Sequence, residues 1–93
     1  MMYRLVFTSQ YEKRELRYLK RHPEIKSQYL KTLQLLELNP YHPSLRLHAL
    51  KGKLQGLYSV SVNLSVRLTL EFLIQENEII PINIGDHDTV VLT

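Results

Sequence analysis

Apolar residues recur at helical spacing in the first half of the chain. Ser9 followed by Glu12 has the form of a capping box, which predicts a helix over about 9–21. Pro23 interrupts that helix and suits the first turn of a second one, which ends before Pro40. The apolar positions of the second helix are Ile25, Tyr29, Leu30, Leu33, Leu36 and Leu38. The pattern therefore predicts two antiparallel helices joined by a tight turn.

The apolar period changes to two in the second half of the chain. Segments 57–63, 66–74 and 79–84 alternate apolar and polar residues, and a polar turn over 75–78 joins the last two. Residues 3–7 predict a further short strand. The apolar face is expected to hold Tyr58, Val60, Val62, Val66, Leu68, Leu70, Phe72, Ile74, Ile80, Ile82 and Ile84. The polar face is expected to hold Ser59, Ser61, Arg67, Thr69, Glu71 and Asn83.

The order of these elements defines the fold class. A β-α-α-β-β-β succession predicts an α+β domain, with two N-terminal helices packed on one face of a small, twisted, mainly antiparallel sheet. Prolines and glycines between 40 and 56 predict a loop there, with a hairpin turn near Gly52. Because the chain has only 93 residues, we expect a single domain over 1–93, with the polar sheet face open to solvent.

Composition narrows the possible chemistry. The chain has no cysteine, which excludes disulfides and cysteine-based metal sites. We expect no metal and no cofactor. The N-terminus lacks the apolar run of a signal peptide, and no stretch of 18 apolar residues is present. We therefore expect a cytoplasmic protein without a membrane partner.

Charge is distributed unevenly although the formal net charge is only +3. Residues 41–67 contain four bases and no acid, whereas no base follows Arg67. Such segregation favours a basic surface that binds a polyanion. Residues 1–22 contain six bases, which we interpret as a solvated helix face in preference to a binding surface.

Three motifs carry a resemblance to a known family. They are His48-Ala-Leu-Lys51-Gly52-Lys53, then Arg67 in a following strand, then Ile84-Gly85-Asp86-His87-Asp88. Their order and spacing resemble the RelE/ParE toxin superfamily, especially its YafQ-like and RelE-like branch, over about residues 3–91. The resemblance implies a toxin of a type II toxin–antitoxin system: a metal-independent endoribonuclease that cleaves mRNA on the ribosome. The implied partners are a cognate antitoxin, mRNA and the ribosome.

The resemblance implies three catalytic residues. His87 can donate or accept a proton near neutral pH, and the alternative is a surface histidine beside Asp86 and Asp88. Arg67 is implied to hold the phosphate, since a guanidinium binds its oxygens through paired hydrogen bonds. The alternative for Arg67 is a cross-strand ion pair with Glu71 or a neighbouring residue. The resemblance also implies His48 as a partner base, and a structural loop histidine is the alternative.

The remaining site residues are assigned to RNA binding. They are Arg46, Lys51, Lys53 and Ser61, of which the two lysines are expected to bind phosphates. Glu71 is an alternative base. His22 and His42 adjoin prolines in turns, and we interpret both as structural.

The chain departs from the family pattern at several positions. Ser59 and Ser61 stand where RelE has lysines, Ser61 and Ser65 where the YafQ-like branch has a histidine and an acid, and Val91 replaces a terminal aromatic residue. These departures leave two alternatives to a ribonuclease. One is a non-enzymatic, ParE-like toxin that binds DNA gyrase, and the other is an inactive module that only binds an antitoxin.

Overall fold

The computed structural model describes residues 2–86. Its helices and strands are α1 (Ser9–Arg21), α2 (Lys26–Leu38), β1 (Arg4–Leu5), β2 (His48–Ala49), β3 (Tyr58–Ser61), β4 (Val66–Leu73) and β5 (Glu78–Asp86). The strands form one sheet in the order β1-β5-β4-β3-β2, in which only β1 and β5 are parallel. This arrangement confirms the predicted α+β class. No helix in the described part of the chain is both long and apolar enough to cross a membrane.

The cap of α1 and the start of α2 differ from the prediction, whereas α1 itself begins at Ser9 as predicted. The N-cap of α1 is Thr8, whose Oγ1 accepts a hydrogen bond from the Tyr11 amide at 3.1 Å, so the predicted cap at Ser9 was wrong by one residue. Pro23 opens a single 3-10 turn, Pro23–Ile25, and α2 begins only after it. The ends of both helices lie where the pattern predicted them.

Strand β2 falls within the segment that the sequence predicted as loop. His48 lies opposite Ser59 and Ala49 lies opposite Tyr58, so β2 and β3 form a hairpin. Its loop turns through Gly52 and Gly56, whose φ angles of +67° and +98° fall in a region that other residues adopt only with strain. The hairpin adds an edge strand beside β3 and brings His48 onto the sheet.

A β-bulge interrupts the pairing of β4 with β5. Leu70 lies opposite Pro81, whereas the preceding residue, Thr69, lies opposite Asn83. Ile82 is therefore an extra residue in β5 that has no paired residue in β4. Side chains alternate between the two faces of a strand, so the extra residue moves each later side chain of β5 to the opposite face of the sheet.

The bulge overturns the predicted inner face of β5. The prediction placed Ile80, Ile82 and Ile84 together on the helix-covered face, but Ile79, Pro81 and Ile84 lie opposite Phe72, Leu70 and Leu68 on that face. Those three β5 residues are buried, whereas Ile80 and Ile82 are only half-buried. The sequence signal was misleading because three isoleucines at even spacing fit an uninterrupted strand equally well.

Helix α1 supplies a hydrogen-bond donor to the carbonyl that the bulge leaves unpaired. Arg14 Nη1 donates a hydrogen bond of 2.8 Å to the Ile82 carbonyl. On the same side of β5, pairing with β1 ends where the Val6 amide donates to the Ile79 carbonyl at 2.9 Å. Pro81, which follows two residues later, has no amide hydrogen to extend that pairing. The second half of β5 is therefore a sheet edge that faces α1.

A buried hydroxyl pair joins the two helices. Tyr11 and Tyr29 are each 1% exposed, and their hydroxyl oxygens are 2.7 Å apart. Tyr29 donates to a Glu15 carboxylate oxygen, so it accepts from Tyr11. Burial raises the pKa of both phenols well above the ordinary value, so both remain protonated donors. The apolar stripe predicted for α2 was too broad, because Leu30 and Leu38 are exposed.

We predict that Tyr29→Phe lowers the free energy of unfolding by about 1–3 kcal/mol, because it leaves the buried Tyr11 hydroxyl without its acceptor. Urea denaturation at neutral pH measures the change. Tyr58→Phe is the matched control, since it removes the same atom from a hydroxyl that has no hydrogen-bond partner among residues 2–86. Equal losses in the two variants would contradict a stabilising role for the pair.

Candidate functional site

Two rows of residues cross the outer face of the sheet, opposite the helices. Residues directly opposite each other in an antiparallel pair project from the same face. The rows are Ser61–Arg67–Gly85 and, two residues further along β4, His48–Ser59–Thr69–Asn83. The structure thus places three predicted site residues, His48, Ser61 and Arg67, on the same face of the sheet, the one that the sequence predicted to be polar.

Arg67 forms no ion pair with any of residues 2–86. Its Nη1 donates to the Ser61 hydroxyl, while its Nε is buried and has no partner within residues 2–86. The alternative ion pair with Glu71 is wrong, because the two side chains do not form a salt bridge. Gly85, opposite Arg67 on β5, carries no side chain to compete for the guanidinium.

Two hydroxyls lie beside Arg67 at the centre of the face. Ser59 is 0% exposed and Thr69 is 3% exposed, and neither hydroxyl has a hydrogen-bond partner in the described part of the chain. The expectation of a fully open face was therefore wrong at its centre. Buried polar groups are usually satisfied, so these atoms and the Arg67 Nε call for a partner from outside residues 2–86.

His48 is exposed at the edge of the face, and a backbone carbonyl sets its tautomer. Its Nδ1 lies 3.1 Å from the Arg46 carbonyl oxygen, which can only accept, so Nδ1 carries the hydrogen. In the neutral ring, Nε2 then has a free lone pair directed away from that contact. Arg46 adopts a left-handed conformation with φ +51°, which directs its carbonyl to His48. The arrangement suits a proton acceptor.

His48 and Arg67 are not neighbours on the outer face. Two strand spacings and two residues lie between them, which puts their Cα atoms about 12 Å apart. Only a ligand that extends over Ser59 and Thr69 contacts both side chains.

The predicted lysines lie apart from Arg67. Lys51 and Lys53 are exposed in the hairpin loop that follows Ala49. Ala49 lies opposite Tyr58, which is three residues, or about 10 Å, from Ser61 along β3. The lysines therefore flank the far end of the face and do not contribute to the immediate surroundings of Arg67.

The remaining histidines have different outcomes. His87 lies outside the described residues and stays a prediction, although the chain attaches it directly to Asp86 at the end of β5. Gly85, two residues before it, is a strand residue paired with Arg67. His42 is structural as predicted, because its Nδ1 accepts from the Ser44 amide at 3.2 Å and caps a 3-10 turn.

The structure also contains a concave region that the sequence pattern did not predict. It is a groove of about 460 Å³ between α1 and the free edge of β5, which we name the α1 groove. Its lining consists of Arg14, Arg17, Tyr18, Arg21 and His22 from the helix side and Asn83, Ile84, Gly85 and Asp86 from β5. The available signal was the spacing of three arginines over two turns of one helix, which we interpreted as an ordinary solvated face.

Tyr18 forms the floor of the α1 groove. Its hydroxyl donates to Asp86 Oδ1 at 3.3 Å. Burial and the neighbouring Asp86 carboxylate raise the pKa of Tyr18 to about 12, so the phenol stays protonated. This bond ties the end of β5 to α1. Among residues 2–86, no three histidine, aspartate or glutamate side chains cluster as metal ligands do.

Several solved structures with the same fold are bacterial toxins. The toxin of the E. coli DinJ–YafQ toxin–antitoxin complex superposes with a TM-score of 0.74 at 15% identity, covering 97% of this chain and 98% of that one. A YoeB/ParE toxin from Agrobacterium tumefaciens gives 0.69 at 15% identity, covering 90% and 98%. A copper-bound mutant toxin from Helicobacter pylori gives 0.64 at 24% identity, covering 97% and 99%.

These similarities confirm the predicted resemblance at the level of the fold. The chain has the RelE-like toxin fold, shared over nearly its whole length with the YafQ and YoeB/ParE toxins. No protein-family model and no curated protein sequence matches the chain.

We predict opposite stability effects for two arginines. Arg67→Met is expected to raise the free energy of unfolding by about 1 kcal/mol, because it removes a cation whose buried Nε lacks a partner among the described residues. Arg14→Met is expected to lower it by about 1–2 kcal/mol, because the Ile82 carbonyl loses its donor.

Thermal and urea unfolding of both variants test this contrast. A large loss of stability in Arg67→Met would mean that the guanidinium is a structural element and not a preformed binding group.

Proposed function

We propose that this chain is the toxin of a toxin–antitoxin pair and an endoribonuclease that cleaves mRNA on the ribosome without a metal ion. In this reaction the ribose 2′-oxygen attacks the adjacent phosphorus, and the bond from phosphorus to the 5′-oxygen breaks. The 2′-hydroxyl loses a proton, the leaving oxygen gains one, and the product carries a 2′,3′-cyclic phosphate. The reaction needs a base, an acid and a cation at the phosphate.

The observation that carries the proposal is the state of Arg67. Arg67 is only half-buried, its Nη1 is positioned by Ser61, and it forms no ion pair within residues 2–86, so its charge is available to a phosphate. The hydroxyls of Ser59 and Thr69 lie buried beside it and have no partner within residues 2–86. Preorganised donors of this kind stabilise the charge that develops on a pentacoordinate phosphorus.

Proton transfer is assigned to two histidines. His48 suits the base, since the Arg46 carbonyl fixes the tautomer in which Nε2 accepts. The acid is His87, as the sequence resemblance implies; it follows Asp86, and Gly85 in the same strand lies opposite Arg67. Arg46, Lys51 and Lys53 would bind phosphates further along the strand, through contacts that weaken as salt rises.

The fold comparisons support the toxin part of the proposal. Two structures of the same fold are toxin–antitoxin complexes, DinJ–YafQ from E. coli and RelBE2 from Mycobacterium tuberculosis. A cognate antitoxin of acidic character would complement the basic residues at Arg46, Lys51, Lys53 and Arg67 and so exclude RNA from the face.

We predict that induced expression of the chain causes cleavage of cellular transcripts, and that Arg67→Met, His48→Ala and His87→Ala each reduce it by roughly 100-fold or more. Primer extension on total RNA measures the cleavage. His42→Asn is the matched control: this exposed histidine lies six residues from His48, away from the face, and asparagine can keep its capping role.

The outcomes separate the competing functions. Arg67→Met is informative because it is expected to lose cleavage while gaining stability, which excludes unfolding as the cause. Toxicity that persists in all three variants, together with inhibited supercoiling by purified gyrase, would replace the ribonuclease with a gyrase-binding toxin. An absence of both toxicity and cleavage, with an antitoxin still bound, would leave only a binding module.

A further inference from the structure

The α1 groove has a charge pattern that the outer face does not explain. Arg14, Arg17 and Arg21 follow one another at i, i+3 and i+7, so their side chains lie along one side of α1. Within residues 2–86 the opposing wall contributes one carboxylate, Asp86, which already accepts a hydrogen bond from Tyr18, and Glu24 lies 3.4 Å from His22 Nδ1. The groove therefore has a clear excess of positive charge beside a strand edge.

The arginines differ in how far they are committed to the fold. Arg14 donates to the Ile82 carbonyl and is half-buried. Arg17 and Arg21 are exposed, and neither forms an ion pair within residues 2–86. They are one helical turn apart, about 6 Å along the axis, which is comparable to the spacing of successive phosphates in an extended nucleic-acid strand.

Two neighbouring rings line the groove. The rings of Tyr18 and His22 are in contact, with centroids 4.5 Å apart and planes tilted by 34°. The His22 side chain is 42% exposed, so one of its ring faces or edges is open to a ligand. Flat rings beside cations are the usual platform for unstacked bases of single-stranded nucleic acid. A purely acidic peptide has no flat ring that could stack on this pair.

The groove and the outer face share part of β5. Asn83 and Gly85 line the groove and also belong to the two rows of the outer face, opposite Thr69 and Arg67. Among residues 2–86, no strand pairs with β5 on that side beyond Ile79, so no described strand separates the two regions. A single polymer strand can therefore pass around this edge from one region to the other.

We propose that the α1 groove is a second RNA subsite, in which Arg17 and Arg21 bind phosphates and the Tyr18–His22 pair stacks on a base of the same strand that crosses Arg67. This proposal rests on the proposed function, because the strand it describes is the RNA substrate. It assigns a binding role to His22, which the sequence analysis interpreted as structural.

Binding without cleavage tests the subsite. The probe is a short, fluorescein-labelled, single-stranded RNA with 2′-O-methyl groups, which lacks the attacking hydroxyl and cannot be cut. Fluorescence anisotropy over a range of salt concentrations is expected to show at least tenfold weaker binding for Arg17→Ala/Arg21→Ala. The slope of log affinity against log salt should decrease in magnitude by about 1.4, the value for two lost phosphate contacts on a single strand.

Matched variants separate charge in the groove from charge in general. Lys26→Ala/Lys31→Ala removes two exposed cations from α2, outside the groove lining, and should leave the slope nearly unchanged. Arg17→Lys/Arg21→Lys keeps both charges and should keep the slope. His22→Ala should weaken binding roughly fivefold at high and low salt alike, and His22→Phe should restore it, because stacking does not depend on charge.

The proposal fails if the Arg17→Ala/Arg21→Ala variant binds the probe as the unmodified protein does. It also fails if that variant loses affinity only for the cognate antitoxin, which would make the groove a protein-docking surface. Failure of the proposed function looks different: transcripts stay uncut by the unmodified protein, while the probe still binds and still depends on Arg17 and Arg21.

Discussion

At Ile82 the last strand carries one residue more than the strand opposite, and this extra residue sets which way every later side chain of β5 points. In an unbroken register with Leu70 opposite Pro81, Asn83 would lie opposite Leu68 in the core and Ile84 opposite Arg67 on the outer face. The bulge exchanges these positions. Ile84 is buried with the helices, and Gly85 faces Arg67.

The outer face and the α1 groove both follow from this exchange. Gly85 leaves the guanidinium of Arg67 without a side-chain neighbour on β5, and Asn83 presents an amide next to Thr69. The carbonyl released by the bulge is bound by Arg14, which fixes α1 against the same stretch of strand. One irregularity in hydrogen bonding therefore shapes the floor of one region and the wall of the other.

Local pattern predicted the helices, the hairpin turn and the polar face that carries Ser59, Ser61, Arg67 and Thr69, because each depends on spacing within a single segment. The bulge was not predictable, since its cause is the fit of β5 against β4 and α1. Strand β2 was missed because two residues between a proline-rich and a glycine-rich segment carry no period. The groove was missed because it joins residues more than 60 positions apart, and each part alone resembles an ordinary surface.

The free edge of β5 also bears on how the chain behaves at high concentration. An unpaired strand edge is a template on which a second copy can add a strand, and repeated addition leads to aggregates. Pro81 offers no amide hydrogen there, the bulge breaks the even spacing that an added strand would need, and Arg14 occupies a carbonyl on this edge with a charged side chain. The residues that shape the outer face and the α1 groove thus also disfavour uncontrolled self-association.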